Sequence, residues 1–240
     1  MGTRVAASAE ASAEARPPIV LIVPTYNEEA AIGAALADVP RALVDRIIVA
    51  DGNSRDGTVR AATAAGAEVL ATGRGYGRAC FLGALAAPAD AVLVFMDGDG
   101  SDRVEAVEQL VAPILAGSHD FVIASRVRGT REPGSMGWHQ VIIGLVIGAL
   151  IRMRFGFRYT DMCAFRAIRR ERLLGLDMRE MTYGWNLEMQ MKALRHGLRV
   201  LEIPVRYGRR QGGASKVSGN LVGTMRASGR LLWTFLRLAG

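Results

Sequence analysis

Cysteine, histidine and aromatic side chains are scarce in this chain of 240 residues, which has two Cys, three His and 6% aromatic residues. Cys80 and Cys163 make no disulfide framework, and neither has a Cys or His at metal-ligand spacing. A zinc ribbon and a disulfide scaffold are thereby excluded, and both thiols read as core residues of a reducing compartment. His119, His139 and His196 lie far apart in the sequence and suggest no catalytic cluster. So few aromatics argue against a surface that stacks nucleic-acid bases. The opening "MGTRVAASAEASAEAR" has no apolar stretch of the kind a secretory signal needs, so 1–16 reads as a loose tail. Long apolar runs are missing too. The longest uninterrupted one, 141–151, would span roughly 16 Å as a helix against a bilayer core of roughly 30 Å, and is expected not to cross a membrane.

What the chain does have is apolar bulk and positive charge. Half of its residues are hydrophobic, enough for a sizeable core. The net charge is +7, carried almost wholly by Arg, and from Arg195 to Arg237 nine Lys or Arg face the single acid Glu202. That imbalance suits an anionic partner such as a phosphate, a lipid headgroup or a nucleic acid, and equally a solvated basic surface.

The first half alternates short β-branched runs with small-residue helical stretches. "IVLIV" (19–23), "RIIVA" (46–50), "AEVLA" (67–71), "AVLVFM" (91–96) and "DFVIAS" (120–125) lack polar alternation, as strands covered on both faces do. Apolar residues at helical spacing fill the intervals, so the pattern predicts an α/β fold with a mostly parallel sheet flanked by helices. Each strand ends in a polar segment: "PTYNEE", "DGNSRDGT", "GRGYGR", "DGDGSD" and "SRVRG". In parallel sheets ligands sit beyond the carboxyl ends of the strands, so these segments are expected to share one rim. Later come an apolar helix around 141–151, a helix in "GWNLEMQMKALRHG", a strand in "LRVLEIPV", and an amphipathic C-terminal helix over 217–240. On a helical wheel Arg226, Arg230, Trp233 and Arg237 share one edge and Leu221, Met225, Leu231, Leu232, Phe235 and Leu236 the other. Such a helix either closes the core or lies on lipid with its cations at headgroups.

The stretch "FMDGDGSD" places Asp97, Asp99 and Asp102 within six positions at the end of an apolar strand. A calcium-binding loop running from Asp97 to Glu108 would need glycine where Asp102 stands, and a helix before it rather than a strand. Capping of the following helix accounts for Asp102. It leaves Asp97 and Asp99 repelling one another unless a cation neutralises them. A divalent Mg²⁺ or Mn²⁺ held by Asp-x-Asp, with phosphate oxygens completing its shell, satisfies both.

In their order, "PTYNEE", "VADGNSRDGT", "GRGYGRA", "FMDGDGSD", "ASR", "YTDMCAFR", "YGWNLEMQ" and "EIPVRYGRRQGGASK" resemble the motifs of family 2 glycosyltransferases, over 19–216 of the chain. The likeness is to the branch of dolichyl-phosphate mannose and glucose synthases and their bacterial relatives. It implies a GT-A fold over 17–216 with a Rossmann-like nucleotide-binding half, and transfer of a hexose from a GDP- or UDP-sugar. By position, the resemblance puts Pro24, Tyr26 and Glu28 along the nucleotide and Asp51 at its base, while glycine at 75 and 77 is expected to let the backbone approach it. It makes Asp97 and Asp99 the metal and diphosphate pair, and has Arg126, Arg210, Gly213, Ser215 and Lys216 gather phosphates. Two positions depart from the family pattern. Gly52 replaces the usual second acid after Asp51, and Ser101 stands where some relatives carry a Gln, leaving the third metal ligand open.

Elementary chemistry agrees with this expectation. A departing nucleoside diphosphate gathers negative charge, which a divalent ion and arginine forks stabilise most in the transition state. A phosphate acceptor is already ionised and needs little help from a base. Asp161 in "YTDMCAF" is expected either to orient acceptor or donor sugar or to cap a turn, and Glu188 either to bond the sugar or to form a buried structural pair. The resulting expectation is a metal-dependent, inverting hexosyltransferase acting on a polyprenyl phosphate, cytoplasmic and peripheral at the inner face of the membrane, with no nucleic-acid partner. A soluble acceptor, or nucleotide-sugar binding without catalysis, is the alternative.

Overall fold

The computed structural model describes residues 16–212 and 221–239. The expected strands form: β1 (Ile19–Thr25), β2 (Arg46–Asp51), β3 (Glu68–Ala71), β4 (Val92–Phe95) and β5 (Phe121–Ser125). Helices α1 (Glu29–Ala37), α2 (Thr58–Ala64), α3 (Tyr76–Ala86) and α4 (Val107–Leu115) connect them. The second half adds α5 (Trp138–Phe155), β6 (Arg166–Arg169), α6 (Arg170–Gly175), α7 (Trp185–Arg195), β7 (Val200–Pro204) and α8 (Leu221–Ala239). One seven-stranded sheet results, in the order β3-β2-β1-β4-β6-β5-β7. Its central strands carry no exposed side chain: Ile19 to Val23, Val92 to Phe95 and Phe121 to Ala124 are all buried, as the absence of polar alternation required.

The strand that the sequence pattern did not disclose is β6. "RAIR" is four residues bracketed by arginines, which reads as surface, yet Arg166 is fully buried. β6 runs antiparallel to both β4 and β5, while the other pairings are parallel. An antiparallel strand wedged between β4 and β5 leaves those two parallel to each other, so the carboxyl ends of β1, β2, β4, β5 and β7 still open on one rim. β2 and β4 flank β1 on opposite sides, which puts a crevice at the ends of β1 and β4 where the strand order turns back.

Helix α5 corrects the estimate of a short apolar segment. Its 18 residues, about 27 Å at 1.5 Å per residue, make it long and apolar enough to cross a membrane by length and composition. Its inner face is tied to the domain. Gly144, Ile147, Gly148 and Ile151 are buried, and a Cβ on Gly148 would meet the Tyr159 carbonyl oxygen at 1.9 Å. Its outer face leaves Trp138 76% and Met153 77% exposed, with Ile142 and Val146 more than half exposed between them.

Helix α8 packs along α7 and takes the core-closing one of its two expected uses. Arg230 and Arg237 turn inward to buried carboxylates, Leu231, Phe235 and Leu238 pack on the core, and Leu232, Trp233 and Leu236 face outward.

Candidate active site at the strand ends

The first wall of the crevice is a lacing of two turns. Asn27, after β1, and Asn53, after β2, both take left-handed backbone conformations (φ 51° and 62°), which asparagine tolerates better than other non-glycine residues. Asn27 N–H donates to Ser54 Oγ at 2.9 Å, Arg55 N–H donates to Asn27 Oδ1 at 2.9 Å, and Glu28 N–H donates to Thr58 Oγ1 at 2.8 Å. Asp51 is buried, and its carboxylate accepts from Ser54 N–H at 2.9 Å and Ser54 Oγ at 2.5 Å. Pro24 stands partly exposed beside these turns, in register with Ala50. The Arg74 guanidinium carbon lies over the Tyr26 ring, 3.5 Å from its centroid, and the guanidinium donates to the Tyr26 hydroxyl.

The floor is the loop after β4. Asp99 Oδ1 accepts from Ser101 N–H at 2.9 Å, while Asp99 Oδ2 faces Arg210 at 3.1 Å. Arg210 also grips Glu28 through contacts of 2.8 and 3.0 Å, so one guanidinium ties the end of β1 to the acidic loop. Burial, and then the neighbouring Asp99, push the Asp97 carboxyl up to about 6, against the pull of Arg126, Arg210 and Arg166. Asp102 is also driven above the usual carboxylate range, by burial first and then by Asp97 and Asp99. It accepts from Asp97 N–H at 3.1 Å, which makes it the inner strut of the loop rather than a free ligand.

The third wall carries a residue that sequence reasoning passed over. Tyr207 sits in "VRYGRR", read only as glycines and cations, and nothing local marks it. Its hydroxyl is 3.0 Å from Ser101 Oγ, and its backbone is bonded to both sides of the Arg131 loop. Gly208 N–H donates to Ser101 O and Gln211 N–H to Asp99 O, both at 2.9 Å, so 207–211 is strapped onto the acidic loop. Ser101, whose hydroxyl is 2.5 Å from Asp99 Oδ1, thus contributes to holding the loop together.

Arg126, at the end of β5, lies 5.0 Å over the Tyr207 ring and is clamped by Asp161. Asp161 accepts from Arg126 N–H, Nε and one terminal nitrogen at 2.9, 2.8 and 2.7 Å, and from Met162 N–H at 2.7 Å. The buried Glu202, another residue the sequence did not single out, accepts from Thr160 N–H at 2.8 Å and Asp161 N–H at 3.2 Å. A carboxylate saturated by four donors is a holder of Arg126, and its geometry does not resemble that of a free base.

Other expected residues fall elsewhere. Glu188 is fully buried on α7, accepting from Glu180 N–H at 2.6 Å and pairing with Lys192 at 3.2 Å and Arg237 at 3.1 Å. That places it beneath α8 and not with Asp97 and Asp99. Gly75 (φ 124°) and Gly77 line the turn into α3, pressed against the backbone of Glu180 and Met181. Gly213, Ser215 and Lys216 lie outside the described residues.

Among the described residues no group of three or more His, Cys, Asp or Glu side chains could cage a metal ion. Two crowded carboxylates with an elevated Asp97 fit a hard divalent ion that takes one or two protein ligands and completes its shell with phosphate oxygens.

Comparison with known proteins places the chain in a family and a fold. The profile of the family described as Glycosyl transferase family 2 matches residues 20–175. An uncharacterized glycosyltransferase of Mycobacterium tuberculosis is 37% identical over 211 residues, covering 86% of this chain and 93% of the relative. The undecaprenyl-phosphate mannosyltransferase of Micrococcus luteus is 32% identical over 224 residues, covering 85% and 89%. Glucosyl-3-phosphoglycerate synthase of Mycobacterium tuberculosis, solved with Mn²⁺, uridine diphosphate and phosphoglyceric acid, superposes with a TM-score of 0.72 at 25% identity, covering 93% of this chain and 79% of that one.

Proposed function

The chain belongs to glycosyl transferase family 2 and is a glycosyltransferase of GT-A architecture, and on that premise we propose that it moves a hexose from a nucleoside diphosphate sugar to a polyprenyl phosphate at a membrane surface. The observation that carries the donor half is the crevice between β1 and β4, where Asp99 pairs with Arg210 and Asp97 lies within the electrostatic reach of Arg126 and Arg210. The acceptor half is supported by the outer face of α5, with Trp138, Ile142, Val146 and Met153 exposed in one stripe, and by the lipid acceptor in the name of the Micrococcus relative.

In this reading Asp97 and Asp99 hold Mg²⁺ or Mn²⁺ together with the donor diphosphate, and the ion supplies Lewis-acid stabilisation of the leaving group. Tyr26, Arg74, Asp51 and the Gly75–Gly77 turn receive the nucleoside. An acceptor phosphate oxygen bonds to the anomeric carbon as the bond from that carbon to the diphosphate oxygen breaks, and the electron pair leaves with the diphosphate. Attack from the face opposite the leaving group inverts the anomeric centre. Arg126 and Arg210 are forks that follow the charge as it moves. Asp161 and Glu202 keep Arg126 aimed, and a phosphate with a second pKa near 6 requires no base to become a nucleophile. Because α5 is held by its buried glycine face, the membrane contact is peripheral, through the exposed stripe.

A soluble acceptor is the second reading, favoured by the likeness to the phosphoglycerate-bound synthase. The test is transfer from labelled GDP-mannose and UDP-glucose, with Mn²⁺, to either undecaprenyl phosphate in vesicles or 3-phosphoglycerate in solution. Labelled lipid, and a Trp138→Ser variant that no longer sediments with anionic vesicles at low salt, are the expected results. Transfer to 3-phosphoglycerate alone, with no vesicle binding, replaces the lipid reading by the soluble one.

A further inference from the structure

An unbroken chain of contacts runs from α8, on the outside of the domain, to the turn at the start of α3. Glu180 is its central link and is fully buried. One of its oxygens accepts from Thr182 N–H at 3.0 Å and from the Thr182 hydroxyl at 2.5 Å. The other accepts from Arg230 Nε at 2.7 Å, with the buried Thr234 hydroxyl at 3.4 Å. Its own N–H is fixed to Glu188, which Arg237 pairs from the next turn of α8. Burial works to raise the Glu180 carboxyl, but Thr182 and Arg230 outweigh it and hold the group below its ordinary range.

On its other side the same segment is the surface against which the glycine turn lies. Arg78 N–H donates to Met181 O at 2.9 Å. A Cβ on Gly77 would come within 2.4 Å of Glu180 O, and one on Gly75 within 2.7 Å of Met181 O. Backbone meets backbone without slack, so a displacement of 180–182 must be passed to the turn.

We propose that Glu180 and Arg230 are positioning residues for the donor: the ion pair that docks α8 holds 180–182 as the platform for the Gly75–Arg78 turn, and nucleotide binding depends on α8 through it. This rests on the reading that the donor nucleoside lies at that turn. Neither residue touches the reacting atoms.

The test compares the full-length protein with its Arg230→Gln and Arg230→Lys variants. Amide exchange over 75–79 is expected to quicken at least about tenfold in Arg230→Gln while β1 and β4 keep their protection, and to recover in Arg230→Lys. Affinity for UDP or GDP with Mn²⁺ should weaken about tenfold in parallel, and KM for the nucleotide sugar should rise with kcat changed less than about twofold. Unchanged exchange and affinity in Arg230→Gln overturn the proposal, as does exchange that quickens equally in β1 and β4, since that marks a general loss of stability. Wild-type protein that binds neither nucleotide overturns the donor reading and the donor role of the pair with it, while exchange at 75–79 still reports separately whether α8 governs the turn.

Discussion

Two clusters of acids, one in the loop after β4 and one under α8, are built on opposite electrostatic plans. Under α8, each carboxylate has dedicated partners: Glu180 has Thr182, Arg230 and Thr234, and Glu188 has Lys192, Arg237 and two backbone amides. At the end of β4, three aspartates share a loop, and among the described residues only Asp99 has an arginine within ion-pair distance. Glu180 is accordingly lowered and Asp97 and Asp102 are raised. A satisfied cluster fixes structure. A cluster left short of positive charge is where the proposed cation and its ligand would bind.

The sharpest way to break this contrast is to remove one acid from each cluster. Asp99→Ala should cost transfer about 10³-fold or more, with the far-ultraviolet spectrum and cooperative unfolding retained. Substantial activity in that variant would remove the electrostatic basis of the donor site. Glu188→Gln should do the reverse. It removes the carboxylate charge that faces Lys192 and Arg237 and should lower stability in urea unfolding by about 3 kcal/mol, with kcat per folded molecule at saturating nucleotide sugar within about twofold. If activity fell while stability held, Glu188 would belong to the chemistry after all.

A smaller effect carries an opposite sign. Because the fold raises the Asp97 carboxyl from 3.8 to about 6, folded protein holds that proton more tightly than unfolded protein does. The ligand-free fold therefore loses stability from this group as pH rises from about 4 to about 6 and remains without it at neutral pH. Asp97→Asn should raise the Tm of the ligand-free protein at pH 7.5 by roughly 2–4 °C, a gain of about 1 kcal/mol. It should also abolish the added stabilisation given by Mn²⁺ with a nucleoside diphosphate. A variant that melts lower than wild type would mean that Asp97 is already satisfied in the fold.

The legible parts of the site are those in which neighbours in sequence are neighbours in space. Asp97 and Asp99 follow β4 directly, and Tyr26, Glu28 and Asp51 follow β1 and β2, so strand ends alone bring them to the rim. Tyr207 is invisible to that logic, because its partner Ser101 is 106 positions away. Asp161 carries a charge that any reading of the sequence notices. Its role was hidden because three bonds to Arg126, 35 positions away, decide it. Arg230 and Arg237 share an edge of their helix, as the wheel has it, but their glutamate partners could not be read there. A wheel shows which residues travel together and not whether buried glutamates wait beneath them.

From sequence alone followed the α/β class, the shared rim, the acidic loop and the proposal of a cation there, since each rests on local periodicity or on charges close along the chain. The folded structure alone decided that β6 would run against its neighbours, that Arg126 would be aimed by Asp161, and that α8 would pair Arg230 and Arg237 with buried glutamates while exposing Leu232, Trp233 and Leu236. Those outcomes depend on which distant groups meet away from water, where an unpaired charge costs more than any local preference of the chain.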